Sequence, residues 1–414
     1  ASRVSIVILV GALALASAIR LPTLGGGLLW DEQDNHRRNF HGYHEVTAPD
    51  AAPKWVEATW KHALWENRRG NNPMFYSGCA WASNALWRAV TGAPREQFSV
   101  VAVSLKAALC GILSIATLWW LLNVVGLPRV APVAALLSAV HPLCAEFSME
   151  ARAYGMTLFF VPQMLGAGWR MLKACRARDS VMFGISQVII LLGFPGGFYG
   201  IAAVNLAMAG LLVWQWRQRL PTATARLGRW TLTNTVSGVL LFCLLAPNIP
   251  QMVSFMNNSF QDGVMPPFWY VVSYNLFATG MHFQFPRETF FAPEGPWPSA
   301  WAWLFGDYWR AWPVALWALV VVPVLGVAGV VRWIRSADRT FTVLALALLA
   351  GGGLCVAHHA LITGYYIYAW YAIYILPVLL AALATGALSL VRADTDEKQR
   401  ASAWRAAGVV VLMV

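Results

Sequence analysis

Long runs almost free of charge constrain this chain more than any other feature. Residues 4–19, 98–125 and 366–391 carry no charged side chain other than Lys106, and each approaches or exceeds the roughly 20 residues that a helix needs to cross a bilayer. In hydrocarbon every backbone N–H and C=O must find its partner within its own segment, so such runs predict helices. Charged residues make up 12% of the chain and hydrophobic ones 58%, against about 25% charge in a soluble domain. The expected fold class is therefore all-α: a polytopic transmembrane helix bundle forming a single domain over 1–414. The net charge of +11 comes from arginines clustered between apolar runs. That is the pattern of cytoplasmic loops, and it argues against a nucleic-acid partner. The six cysteines show neither Cys-x-x-Cys nor metal spacing and read as small apolar fillers.

The first run lies between Arg3 and Arg20. Its Ala16-Ser17-Ala18 end resembles a signal-peptidase site, but a retained anchor is the preferred reading. Pro22 and Gly25-Gly26-Gly27 end it and open an outer loop over 21–97. Within that loop, 53–92 mixes Trp55, Trp60, Trp65, Trp81 and Trp87 with lysines and arginines. Its second half, 74–90, reads either as a short span or as an amphipathic juxtamembrane helix on the outer face.

Charge decides between these. With spans at 98–125, 130–143, 151–168, 181–194, 198–214, 230–246, 312–331, 341–362 and 366–391, the clusters around Arg176, Arg226, Arg335 and Arg400 all fall inside. A span at 74–90 would turn every one of them outward, against the positive-inside rule. The outer-face helix is thus expected. The same side then receives the Asp31 loop, the Glu146 to Arg152 turn, the 193–198 turn, a long outer loop over 247–311 and the His358 to Tyr368 region. The closing run 406–414 begins another apolar segment and stops short of a span, so the chain reads as truncated before a further C-terminal region.

Two polar stretches on that side carry chemistry. Trp30-Asp31-Glu32 places adjacent carboxylates just beyond the first span; on its own, such a pair is a solvated surface. His141-Pro142 leads to Glu146, Glu150, Arg152 and Tyr154 at the start of a descending helix, where an ionisable group is costly unless paired or functional. A Glu150–Arg152 or Glu146–Arg152 ion pair that finishes the turn is the alternative to a site. His36, His41 and His44 read as surface histidines, the tryptophans as interfacial anchors, and Gly351-Gly352-Gly353 as a close helix contact.

Trp30-Asp31-Glu32 after a first span, Asn72-Pro73-Met74-Phe75-Tyr76 before an amphipathic helix, and Glu150-Ala151-Arg152-Ala153-Tyr154 after a His-Pro turn together resemble the protein mannosyltransferase-like enzymes (family 39/83 type). These are glycosyltransferases of the GT-C fold that depend on polyprenyl-phosphate sugars. The resemblance covers 4 to about 200, with Ile375-Leu376-Pro377 beyond it. It implies an inverting transfer from a lipid-phosphate sugar to an acceptor hydroxyl on protein, lipid or glycan. The implied setting is a multi-pass protein of a bacterial inner membrane with its site on the periplasmic face.

The resemblance also implies roles. Asp31 is the base and Glu32 its neighbour; Arg152 is the first phosphate contact, with Lys106 and Arg37 next and Arg38, Arg68 and Arg69 behind them. Glu150, Tyr154 and His141 are supporting residues. A divalent cation shared by Glu32 and Glu150 is the only cofactor the resemblance allows, and no metal spacing accompanies it. The pattern is departed from at Gln97-Phe98-Ser99-Val100 and at Ala369-Trp370-Tyr371, where relatives carry arginines; Arg95, Lys106, Arg287 and His358-His359 are the substitutes at hand. The alternative function is a non-catalytic transporter or scaffold for lipid-linked sugars, which would place its ionisable groups near the bilayer midplane.

Overall fold

The computed structural model describes residues 2–26, 28, 30–47, 51–67, 72–258, 313–363 and 369–390. Most of the expected outer loop 247–311, including Pro266-Pro267 and Arg287, lies outside the described residues. So do Arg68, Arg69, Tyr365, Tyr366, Tyr368 and 406–414.

The chain is an all-α polytopic bundle. Among the described residues, six helical segments are long and apolar enough to cross a membrane: Arg3–Thr23, Val100–Val124, Pro195–Arg217, Ala223–Ser254, Arg339–His358 and Tyr371–Leu390. In chain order the helices are α1 (Arg3–Arg20), α2 (Trp30–Asn35), α3 (Trp60–Trp65), α4 (Met74–Thr91), α5 (Val100–Val124), α6 (Val130–Val140), α7 (Pro142–Met149) and α8 (Tyr154–Ala174). Then follow α9 (Ala177–Gly193), α10 (Phe198–Arg217), α11 (Ala223–Leu245), α12 (Ile249–Asn258), α13 (Pro313–Ser336), α14 (Arg339–His358) and α15 (Leu376–Leu390).

Two expected boundaries shift for local reasons. The 130–143 segment breaks into α6 and α7 with a 59° bend. Pro142 has no N–H for the ladder and holds His141 in an extended conformation (φ −60°, ψ 120°). Beyond this break, α8 starts at Tyr154 instead of 151 and continues to Ala174. Glu150-Ala151-Arg152 therefore forms the turn between α7 and α8.

α8 is the centre of the bundle, packed along α5 and α9. Gly155 permits the α5 contact: a Cβ there would stand 2.4 Å from the Ala107 carbonyl oxygen. At the α10–α14 crossing a Cβ on Gly351 would meet the Gly200 Cα at 2.7 Å. Gly351 thus serves close packing, as small residues do between membrane helices. At the far end of α8, Lys173 Nζ lies 2.9 Å from Asp338 and the Trp169 indole donates to the same carboxylate at 3.0 Å. Asp338 also caps α14 by accepting the Phe341 N–H. Burial pushes this carboxyl up, but these partners hold it below its ordinary value.

The first loop contains the structure the sequence reading lacks. A π-turn (His36–Phe40) continues α2, and β1 (Gly42–Glu45) pairs antiparallel with β2 (Lys54–Glu57), His44 opposite Trp55. α4 buries Met74, Tyr76, Ser77, Ala80 and Asn84 along one face. That three-to-four spacing is the amphipathic stripe expected of a surface helix.

Candidate functional site

The acidic stretch of the first loop meets the α7–α8 turn. Glu32 is 2% exposed, and its carboxylate accepts the Ala151 backbone N–H. α2 supplies the carboxylate, and the turn made by the His141-Pro142 break supplies the amide. The contact sits beside a small apolar cluster of Phe40, Tyr76, Ala80, Val103, Ala107 and Ala151, so it is formed away from water, where a charge-assisted hydrogen bond is strong. Burial, and after it the nearby Glu32 charge, pushes the Tyr76 phenol well above its ordinary value. The phenol therefore stays protonated and donates to the Val103 carbonyl.

Arg152 follows Ala151, and its guanidinium carbon lies 5.3 Å from the centre of the Tyr154 ring. Tyr154 is held edge-on between Phe147 (5.0 Å) and Phe194 (5.7 Å), which fixes the ring beside the cation. Glu150 is the C-cap of α7, and its backbone carbonyl accepts the Arg152 backbone N–H at 2.7 Å. The turn therefore orders Glu150, Arg152 and Tyr154 together, with Glu32 bonded to its middle residue. Asp31 lies in α2, one residue before Glu32; its side chain is outside the described residues.

The remaining candidates are distributed otherwise. Lys106 Nζ lies 4.6 Å from the Tyr76 ring centre and donates to Val103 O (2.5 Å) and Ser83 Oγ (3.2 Å). It links α4 to α5 beside the same cluster. His141 is buried at the α6–α7 break. Arg37 lines a separate cavity of the first loop, whose lining includes neither Glu32 nor Arg152. Two of the three histidines depart from the surface reading, while His44 is exposed as expected: His41 is 3% exposed, and His36 stacks on it at 4.7 Å and lies tilted 3.9 Å from Phe98. Burial, with His41 and Arg37 nearby, holds the His36 imidazole down to about 3, so it is neutral across the physiological range.

Arg20 acts in this region although its sequence position marks it only as a flank. It is fully buried, and its guanidinium donates to the carbonyls of Ala16 (3.3 Å), Ala139 (2.9 Å) and Ser138 (3.3 Å). Ser138 and Ala139 belong to the last turn of α6, whose carbonyls lack helical partners and favour a cation. Arg20 thus anchors the break that delivers the Glu150–Arg152 turn.

The donor set was tested against a divalent cation. One Glu32 oxygen is engaged by the Ala151 amide, and no group of three or more His, Cys, Asp or Glu among the described residues is arranged to hold a metal. The described residues do not assemble a metal centre.

The sequence matches no protein-family profile and no curated protein. Solved structures do match. The Archaeoglobus fulgidus oligosaccharyltransferase tethered with an acceptor peptide containing the NVT sequon aligns over 99% of this chain and 53% of its own, at 14% identity and a TM-score of 0.51. Its apo form aligns over 99% of this chain and 54% of its own, at 14% identity and a TM-score of 0.50. The chain spans about half the length of these structures, and what it shares with them is a GT-C-type fold.

Proposed function

We propose that this chain is a membrane glycosyltransferase that moves a sugar from a polyprenyl-phosphate donor to an acceptor hydroxyl, with inversion, on the periplasmic face of a bacterial inner membrane. The observation that carries the reading is the Glu32–Ala151 hydrogen bond. It joins Glu32 of the first loop to the turn that carries Arg152, within a fold shared with an oligosaccharyltransferase.

In this reading Asp31 is the base. An acceptor hydroxyl is a poor nucleophile, and a carboxylate within hydrogen-bond reach takes its proton as it attacks the anomeric carbon. On the other side of the sugar, the departing lipid phosphate gathers negative charge and needs fixed cationic donors. Arg152 suits that role, since a guanidinium engages phosphate through two parallel hydrogen bonds. Lys106 is the weaker choice, because its ammonium already serves Val103 and Ser83. Glu32, which accepts the Ala151 N–H, is a positioning residue that fixes α2, the helix carrying Asp31, to the turn. The tethered acceptor peptide of the Archaeoglobus enzyme makes a protein one acceptor class, beside glycan and lipid.

Mass spectrometry of lipid-linked sugars and envelope glycans, with and without the gene, tests the reading. Loss of the gene is expected to leave polyprenyl-phosphate sugar unconsumed and one envelope sugar missing. Unchanged profiles would contradict it. Purified protein in nanodiscs is further expected to release polyprenyl phosphate from a synthetic donor, which a transporter or scaffold would not do.

A further inference from the structure

The first loop encloses a cavity of about 750 Å³ between the π-turn, the β1–β2 hairpin, α3 and the Glu96–Phe98 segment. This lies within the roughly 300–1,000 Å³ of small-ligand sites. Its walls combine flat rings with polar edges. Trp55 packs 4.9 Å from His41 and 5.1 Å from His44, and Tyr43 and Phe98 also line the space.

The charges around it exclude several ligand classes. Arg38 is paired with Asp34 at 3.2 Å, and Glu57 with Arg88 at 3.1 Å. The lining adds Glu66 and Glu96 on the acidic side against Arg37 on the basic side, so carboxylates outnumber arginines. A phosphate or another anion would meet this acidic excess. His36 adds no cation to offset it, because burial keeps its ring neutral. A purely apolar ligand fits no better. The lining includes Glu66, Glu96, His44 and His62, and polar groups covered by an apolar surface lose their water without a replacement partner.

We infer that this cavity binds a neutral saccharide, whose C–H faces lie on the Trp55 and Tyr43 rings and whose hydroxyls meet the imidazoles and the flanking carboxylates. Aromatic rings supply large apolar area at low entropic cost, and tryptophan and tyrosine add a polar edge. Hydroxyls both donate and accept, so they can serve the imidazoles and the carboxylates of the lining alike. The cavity is built from the residues that directly follow Asp31 and Glu32 in α2 and its π-turn. Resting on the transferase reading, it would hold the acceptor glycan and make the acceptor class saccharide.

The experiment uses the full chain in nanodiscs with no sugar donor present. It is presented with an array of neutral oligosaccharides covering pentose and hexose linkages, with inorganic phosphate, and with a panel of short peptides. A saturable quench of tryptophan fluorescence by a neutral oligosaccharide is expected, weakened at least 10-fold by Trp55→Ala. Tyr43 is an exposed hairpin residue, and Tyr43→Ala is expected to weaken binding about 3-fold or more with an unchanged melting temperature. Binding of no neutral oligosaccharide, binding indifferent to Tyr43→Ala, or binding of peptide or phosphate alone would overturn the inference. Because no donor is present, saccharide binding by a protein that transfers nothing would sink the transferase reading and leave the cavity assignment standing.

Discussion

The Glu32 carboxylate accepts the backbone N–H of Ala151, 119 residues further along the chain. This bond converts two polar stretches, separated by α5, α6 and α7, into one constellation. It also predicts that stability and chemistry separate at this position. Glu32→Ala leaves the Ala151 amide buried without its acceptor, at a cost of about 1–3 kcal/mol. Thermal melts in detergent should show the loss. Glu32→Gln keeps an acceptor oxygen and should recover most of the melting temperature.

Gly155 is the second place where one atom decides the packing. Gly155→Val puts a branched side chain where a Cβ alone would stand 2.4 Å from the Ala107 oxygen. The α5–α8 contact must open, and overpacking of this kind costs roughly 1–3 kcal/mol. A lowered melting temperature is expected, together with faster hydrogen exchange at the Glu150–Arg152 turn. An unchanged melt would mean that the helices pack otherwise.

At the far end of α8, Asp338 answers to Lys173, Trp169 and the α14 N-terminus. Its carboxyl lies below the ordinary value, so it binds a proton less readily in the folded than in the unfolded chain. Its stabilisation is complete above the unfolded pKa, near 4, and is lost as pH falls through the lower folded value. Asp338→Asn should lower the melting temperature at neutral pH, and the difference from wild type should shrink as the buffer is acidified below pH 4.

His36 titrates with the same sign by a different cause. Burial holds its imidazole to about 3, against about 6.5 in an unfolded chain. Between these values the unfolded loop carries a proton that the folded loop does not, so stability is full above pH 6.5 and falls as pH drops toward 3. The limiting slope for one proton is about 1.4 kcal/mol per pH unit. Protection factors for hydrogen exchange in the first loop, corrected for the intrinsic rate, should fall from pH 6.5 to 4.5, and His36→Gln should remove that pH dependence.

What could be read from the chain beforehand follows the range of each force. Charge-free runs reveal helices because the bilayer demand is local, and the one-sided burial of α4 is visible as spacing from Met74 to Asn84. Pro142 signals a helix interruption, but the 59° bend and the start of α8 at Tyr154 depend on what the ends pack against. The hairpin was hidden because β1 and β2 are short and carry no alternating pattern; their pairing follows from register, His44 against Trp55. Burial of His41 and Arg20 was hidden as well. Each is polar by type, and each is sheltered by partners far away in sequence: His41 by the Glu96 carbonyl, Arg20 by those of Ser138 and Ala139. At the candidate site the residue types of Glu32, Arg152 and Tyr154 were legible, while the bond joining Glu32 to Ala151 was not.

In the proposed transferase Asp31 of α2 is the base and Arg152 the partner of the lipid phosphate. The most direct test is single-turnover transfer by purified Asp31→Asn in nanodiscs, with donor binding and thermal stability measured on the same preparation. Removing a positioned general base typically costs about 10²–10⁴-fold in rate, so transfer should fall by at least 100-fold while donor affinity and melting temperature stay close to wild type. Turnover within a few-fold of wild type would contradict the account.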